Sequence, residues 1–212
     1  MTCTEKQFLE DVGSHKMTVL KNEGVYRHLR FSKSNSTSMR FDLLTWPRHL
    51  CFTGDMGTYV FAREGDMFGF FGIDRALPEG KVLDINPDYW HEKLVAVDSR
   101  DGSKKWSEKV FAQRARECLE EWLQDSGLPE AKKLKAMQDF ENEALWGCCD
   151  GKAAAYNDVM GFEVEGECPL QDFWEVDTDE YTFRFIWCCY AIVWGIKKYN
   201  EAWAAALKGD AV

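Results

Sequence analysis

The chain reads as an α+β protein, with an N-terminal antiparallel β-meander of four to five strands packed against a C-terminal helical layer that contains one long buried helix. Three observations carry this reading. Residues 16–63 run in short β-branched or aromatic stretches with period two. From Ser107 to Leu145 the apolar side chains recur at helical spacing. Phe185 to Ile196 is an uncharged apolar run of about 12 residues, too short for a bilayer span of about 20 and suited to a core helix.

In chain order, Phe8, Leu9 and Val12 share a helical face that Gly13 ends. The runs MTVL, VYRHLRF, MRFDLLTW, HLCF and TYVFAR follow as strands, divided by Asn22-Glu23-Gly24, Ser32 to Ser38, Pro47 and Gly54 to Gly57. Connections this short join antiparallel neighbours, because a parallel crossover needs a dozen or more residues. Asp66 to Phe71 forms a short helix with Met67, Phe68 and Phe71 on one face, weakened by Gly69. A loop at Pro78-Glu79-Gly80 leads to Asn86, which caps a helix opening at Pro87 and running through YWHEKLVAV to Asp101-Gly102-Ser103. The next helix, Ser107 to Gln124, carries the stripe Phe111, Ala115, Cys118 and Trp122, and after Gly127 and Pro129 a second stripe follows at Leu134, Met137, Phe140, Ala144 and Leu145. These two form an antiparallel hairpin. A short GKAAAYNDVMGF helix lies inside an irregular acidic segment over 153–183, pinned by Phe162, Phe173 and Trp174. The last helix spans Asp179 to Leu207, capped by Asp177, Thr178 and Asp179, with Lys197, Lys198 and Lys208 complementing its other end. No break in composition cuts the chain, so residues 1–212 read as a single domain.

Charge is the most uneven property. Nine carboxylates lie between Lys152 and Arg184 with no Lys, Arg or His among them; without them the 36 acidic and 26 basic side chains become 27 against 26. That stretch therefore accounts for nearly all of the formal −10. An acidic chain disfavours nucleic acid as a direct ligand, since phosphate binding relies on clustered Lys and Arg. It favours a basic protein. Glu163, Glu165, Glu167, Asp172, Glu175 and Asp177, with Phe173 and Trp174 interleaved, are the partner-binding candidates, because interfaces join apolar anchors to a complementary field.

Catalytic signatures are absent from the sequence: it has no GxSxG, Walker loop, HExxH or GxGxxG. Its eight Cys include the adjacent pairs Cys148-Cys149 and Cys188-Cys189, which suit neither mutual bridging nor tetrahedral zinc, so buried thiols, no metal and no cofactor are expected. The alternative to partner binding is an enzyme or small-ligand binder, with Gly54-Asp55-Met56-Gly57 as a ligand loop and His49 as an acid–base group beside Asp55. His28, opposite in parity to Leu29 and Phe31, is expected as a surface or cross-strand partner.

The segment Thr45 to Phe61, TWPRHLCFTGDMGTYVF, with the aromatic stretch Asp66-Met67-Phe68 and Phe70-Phe71 after it, resembles an uncharacterised family of phage and prophage proteins. The likeness covers about the first third of the chain strongly and the remainder loosely, and departs at Gly69. It implies a phage accessory gene product made in the cytoplasm of a bacterial host, with no activity, cofactor or catalytic residue to transfer. Joined to the charge, it implies an inhibitor of a basic host protein, such as a nuclease or CRISPR-type defence complex, acting as a nucleic-acid mimic.

Overall fold

In the computed structural model, which describes residues 2–72, 80–146 and 151–209, the period-two region becomes five consecutive antiparallel strands. These are β1 (Lys16–Glu23), β2 (Tyr26–Ser32), β3 (Phe41–Trp46), β4 (His49–Gly54) and β5 (Gly57–Ala62), paired in chain order. The pleat sends alternate side chains to one face, so Leu29, Leu43, Phe52 and Tyr59 fall in a single row across four strands, all fully buried. Phe31, Phe41, Leu50 and Phe61 complete that face. Pro78 and Glu79 of the expected loop and the Cys148-Cys149 pair expected as buried thiols lie outside the described residues.

A sixth strand, β6 (Leu94–Ala96), extends the sheet beyond β5. The sequence placed this stretch in a helix. Asn86 does cap one, its side chain accepting the Tyr89 N–H at 3.2 Å, but that helix closes after a single turn, Pro87–His91. Leu94 and Ala96 instead pair with Phe61 and Val60, where a half-buried sheet edge favours an apolar, β-branched run over its weak local helical preference.

Four helices belong with this sheet in one hydrophobic cluster: α1 (Glu5–Val12), α2 (Met67–Phe71), the one-turn α3 (Pro87–His91) through Trp90, and the long C-terminal helix, which runs Phe183–Gly209. The last is apolar on nearly all sides, burying Phe185, Trp187, Cys188, Cys189, Ala191 and Ile192. Gly195 lets it approach the sheet, since a Cβ there would stand 2.7 Å from Leu43 and 3.1 Å from Phe31. The helix begins four residues later than the sequence indicated. Thr182 is the cap, its hydroxyl accepting the Phe185 N–H at 3.2 Å, because Asp179–Tyr181 is taken by a strand. At α2, Asp66 accepts from the Phe68 N–H at 3.0 Å and from both Arg27 guanidinium nitrogens at 2.9 and 2.8 Å, while Arg27 lies over the Phe68 ring. The Arg27 hydrogen bonds hold the Asp66 carboxyl below the usual carboxylate range.

Gly69 sits inside α2 with open space where a Cβ would go. Gly69→Ala is therefore expected to stabilise the fold by about 0.5–1 kcal/mol, a rise of roughly 1–4 °C in Tm by thermal melting, since alanine lowers unfolded-chain entropy without meeting a neighbour.

The chain divides into two compact units, one formed by 1–104 and 181–212 and the other by 105–180. The physical reason is a second, separate hydrophobic cluster, which residues 105–180 build for themselves. The chain enters through β7 (Lys104–Trp106) and leaves through β8 (Asp179–Tyr181), which pair with each other. Within the second unit, α4 (Glu108–Asp125) is capped by Ser107, and α5 (Glu130–Glu143) and α6 (Lys152–Met160) follow; numbering the C-terminal helix α7 completes the set. The buried stripe of α4 is Phe111, Ala115, Leu119 and Leu123, one position round from that expected, with Cys118 and Trp122 half-buried at its margin. On α5, Ala136 and Phe140 face inward and Leu134 is exposed.

Candidate functional site

Dividing the charges by unit sharpens the sequence pattern. Residues 105–180 hold 19 Asp and Glu against 8 Lys and Arg, a formal −11, and the rest of the chain holds 17 against 18, a formal +1. The acidic character thus belongs to one unit and includes α4 and α5 as well as the run after α6. Few cations in that unit are available to offset it. Arg114, Arg116, Lys132, Lys133, Lys135 and Lys152 are each engaged by a carboxylate of the same unit.

The acidic run is held by its apolar residues. Phe162, Val164, Leu170 and Phe173 are buried in the second cluster, Phe162 against Phe140 and Phe173 against Phe111. Alternation with these sends Glu163 and Glu165 outward. Val164 and Glu167 exchange backbone hydrogen bonds of 2.8 and 3.0 Å across a two-residue turn, Glu165-Gly166, in which both φ angles are positive. A 3-10 turn, Phe173–Glu175, then places Phe173 inside and leaves Trp174 62% exposed.

The eight predicted interface residues separate into distinct groups. Glu163, Glu167, Asp172 and Glu175 are exposed and, among the described residues, make no ion pair. Glu165 is tied to Lys132 at 2.7 Å. Asp177 accepts the Asp179 N–H at 3.0 Å, which gives it a turn-forming role in place of the helix cap expected of it. Trp174 is available to a partner, whereas Phe173 is 2% exposed and acts only by supporting the turn. The sequence expected Trp174 to pin the segment; Phe162 and Phe173 do so without it. Two exposed apolar side chains of this unit were not anticipated, Trp146 at 80% and Leu134 at 62%. A further acidic cleft of about 440 Å³ lies between Glu143, Asp158 and Glu163.

In the first unit, His49 and Asp55 stand at opposite ends of β4, separated by about 20 Å of strand. His49 stacks on Trp46 with ring centroids 4.9 Å apart and its Nδ1 lies 3.0 Å from the Pro47 carbonyl oxygen. The turn after β4 is closed by its own contacts. The Asp55 carboxylate accepts the Met39 N–H at 2.6 Å, the Asp55 carbonyl accepts from Arg184 at 2.7 Å, and Met56 is buried. His28 reaches diagonally from β2 to Asp42 of β3, 2.8 Å from its carboxylate, as a cross-strand partner, while Arg30 stands directly opposite Asp42. Burial works to raise the Asp42 carboxyl, but hydrogen bonds from Arg30 and His28 prevail and hold it below its ordinary value.

Burial pushes the Cys188 and Cys189 thiols well up and Cys3 to about 12, which suits packing and removes them as nucleophiles. Among the described residues, no group of three or more His, Cys, Asp or Glu is placed to hold a metal ion, and no helix is long and apolar enough to cross a membrane. The fold and site define an α+β protein of two units, the second an acidic helical insertion ahead of the C-terminal helix. Compared with protein-family models, with curated proteins and with solved structures, the chain matches none.

Proposed function

We propose that the chain is a phage-encoded accessory protein that binds a basic, nucleic-acid-handling protein of the bacterial host, such as a nuclease or CRISPR-type defence complex, and blocks it. The observation that carries the binding reading is the segregation of charge, −11 in residues 105–180 against +1 in the remainder. A one-sign field of this size steers a basic partner into encounter and competes with nucleic acid for its cationic surface. Trp174 and Trp146 supply exposed aromatic anchors within that field, the residue type most often found at interface hot spots. The phage source and the choice of a defence component rest on the resemblance of the Thr45 to Phe61 segment.

The test is capture from host lysate by the tagged protein at low and raised salt, with retained proteins identified by mass spectrometry. A basic nucleic-acid-handling protein is expected, held less well as salt screens the field. Reversal of Glu163, Glu167, Asp172 and Glu175 to Lys is expected to weaken the recovered complex by more than about 100-fold, because like charges facing each other cost several kcal/mol. Unchanged affinity in the reversed variant removes the acidic unit from the mechanism.

A further inference from the structure

Two clefts meet on the second unit. One, of about 580 Å³, is lined by Cys118, Trp122, Glu167, Leu170 and Asp172 among others; the next, of about 280 Å³, is lined by Trp122, Asp125, Ser126, Glu165 and Glu167. Trp122 and Glu167 border both, so the two form neighbouring halves of one groove across a half-buried indole. None of the residues lining either half is Lys, Arg or His. Asp125, Glu167 and Asp172 are exposed on its walls and, among the described residues, make no ion pair.

A second feature points the same way. The C-terminal end of α4 opens on this groove, and its last turn contains Glu121 and Asp125 with no basic residue. Carboxylates at a helix C-terminus oppose the helix dipole and cost stability. Glu108 in the first turn suits the dipole, but Asp125 at the other end does not, so the negative potential beside the groove is held against the preference of the helix.

We propose that this groove is the recognition site for an arginine-bearing extended segment of the basic partner, with one guanidinium in each cleft. In an extended chain, side chains at i and i+2 point the same way about 6.6 Å apart, so neighbouring cations of such a segment reach both sides of Trp122. Guanidinium suits the site better than ammonium, because it stacks on an indole face while its planar fork engages carboxylates. The inference rests on the reading of residues 105–180 as a surface for basic proteins and names the chemistry that surface selects.

The test is fluorescence anisotropy with three labelled pentapeptides, Gly-Arg-Gly-Arg-Gly and its Lys and Glu counterparts, titrated with the full chain. Binding is expected in the order Arg, Lys, then none for Glu. The triple variant Asp125→Asn, Glu167→Gln, Asp172→Asn is expected to weaken the Arg peptide by about ten-fold or more. These are exposed positions, and the first change removes a charge that opposes the α4 dipole, so loss of folding is not the expected cause. A control with the same charge change away from the groove, Glu108→Gln, Glu143→Gln, Asp158→Asn, all exposed, is expected to stay within about two-fold. Equal weakening by both triples, or no binding of the Arg peptide by the unaltered chain, overturns the groove. If the unaltered chain captures a host protein but ignores the Arg peptide, the groove falls and the acidic interface stands. The converse result retains the groove and removes the interface reading.

Discussion

Trp187→Ala is expected to lower the stability of the sheet-bearing unit by about 3–5 kcal/mol, the range for removing a fully buried large aromatic side chain. Trp187 has no solvent exposure and joins three elements at once. Its ring stands edge-on to Phe8 of α1 at 5.0 Å, to Phe41 of β3 at 5.6 Å and to Phe52 of β4 at 6.1 Å. Its indole N–H also donates to the Asp11 carboxylate at 2.9 Å, which fixes α1 against α7. Truncation therefore opens a cavity in close-packed surroundings and leaves a carboxylate without its donor. The measurement is urea unfolding followed by amide exchange in β2 to β5, which reads the sheet-bearing unit separately from residues 105–180. Trp187→Phe keeps most of the ring volume and loses the donor, so its smaller loss apportions packing and hydrogen bonding. A Trp187→Ala midpoint equal to that of the unaltered protein contradicts the placement of α7 through this core.

What was legible in the sequence follows the range over which each feature is specified. Strands β1 to β5 were readable because their period is two and their connections are local: Pro47-Arg48 and Asp55-Met56 each join neighbours by two residues. Strands β6, β7 and β8 were not, since each is three residues long and the pairing that defines it is distant in sequence, as between Val60 and Ala96. The start of α7 moved for the same reason. Asp177 to Asp179 suited a cap locally, but β8 claims Asp179 and Thr182 takes the position. On α4, Cys118 and Trp122 fit the apolar period as well as Leu119 and Leu123 do, and the helix's packing partners decide which pair is buried.

The acidic site was legible as composition and only partly as geometry. Charged side chains in an irregular segment turn outward whatever its path, so the exposure of Glu163, Glu167, Asp172 and Glu175 could be read from residue type. Which carboxylates are neutralised could not, because Lys132 lies 33 residues from Glu165. The 3-10 turn that separates buried Phe173 from exposed Trp174 leaves no periodic trace. The count over 153–183 also understated the feature, because the acids of α4 and α5 join it only once residues 105–180 form a unit. An alternative site at His49 and Asp55 was suggested by nearness in sequence, yet six residues of extended chain carry a side chain about 20 Å away.

Gly54→Ala is expected to cost about 3 kcal/mol or more, at the upper end for inserting a methyl group into a packed interior. Gly54 closes β4 and pairs with Phe41 on one side and Gly57 on the other. A Cβ built there stands 2.2 Å from the Arg40 carbonyl oxygen and 2.7 Å from the Phe41 Cα, both backbone atoms that no side-chain rotation can move. Gly54 does not have a positive φ, unlike Gly57, so the requirement for glycine is the close approach of the β3 backbone. Relief demands that the start of β3 shift, which strains the Asp55 N–H bond to the Arg40 oxygen, 3.0 Å, and the contact of the Asp55 carboxylate with the Met39 N–H. Phe41 would move with it, and its ring is stacked on Phe31 at 4.7 Å and on Phe52 at 5.5 Å, so the disturbance enters the core row directly. Urea unfolding of Gly54→Ala beside Gly69→Ala provides the comparison, since the same chemical change is expected to destabilise at the first position and to stabilise at the second. Equal midpoints for the two variants would show that backbone crowding at the β4–β5 turn does not limit the fold.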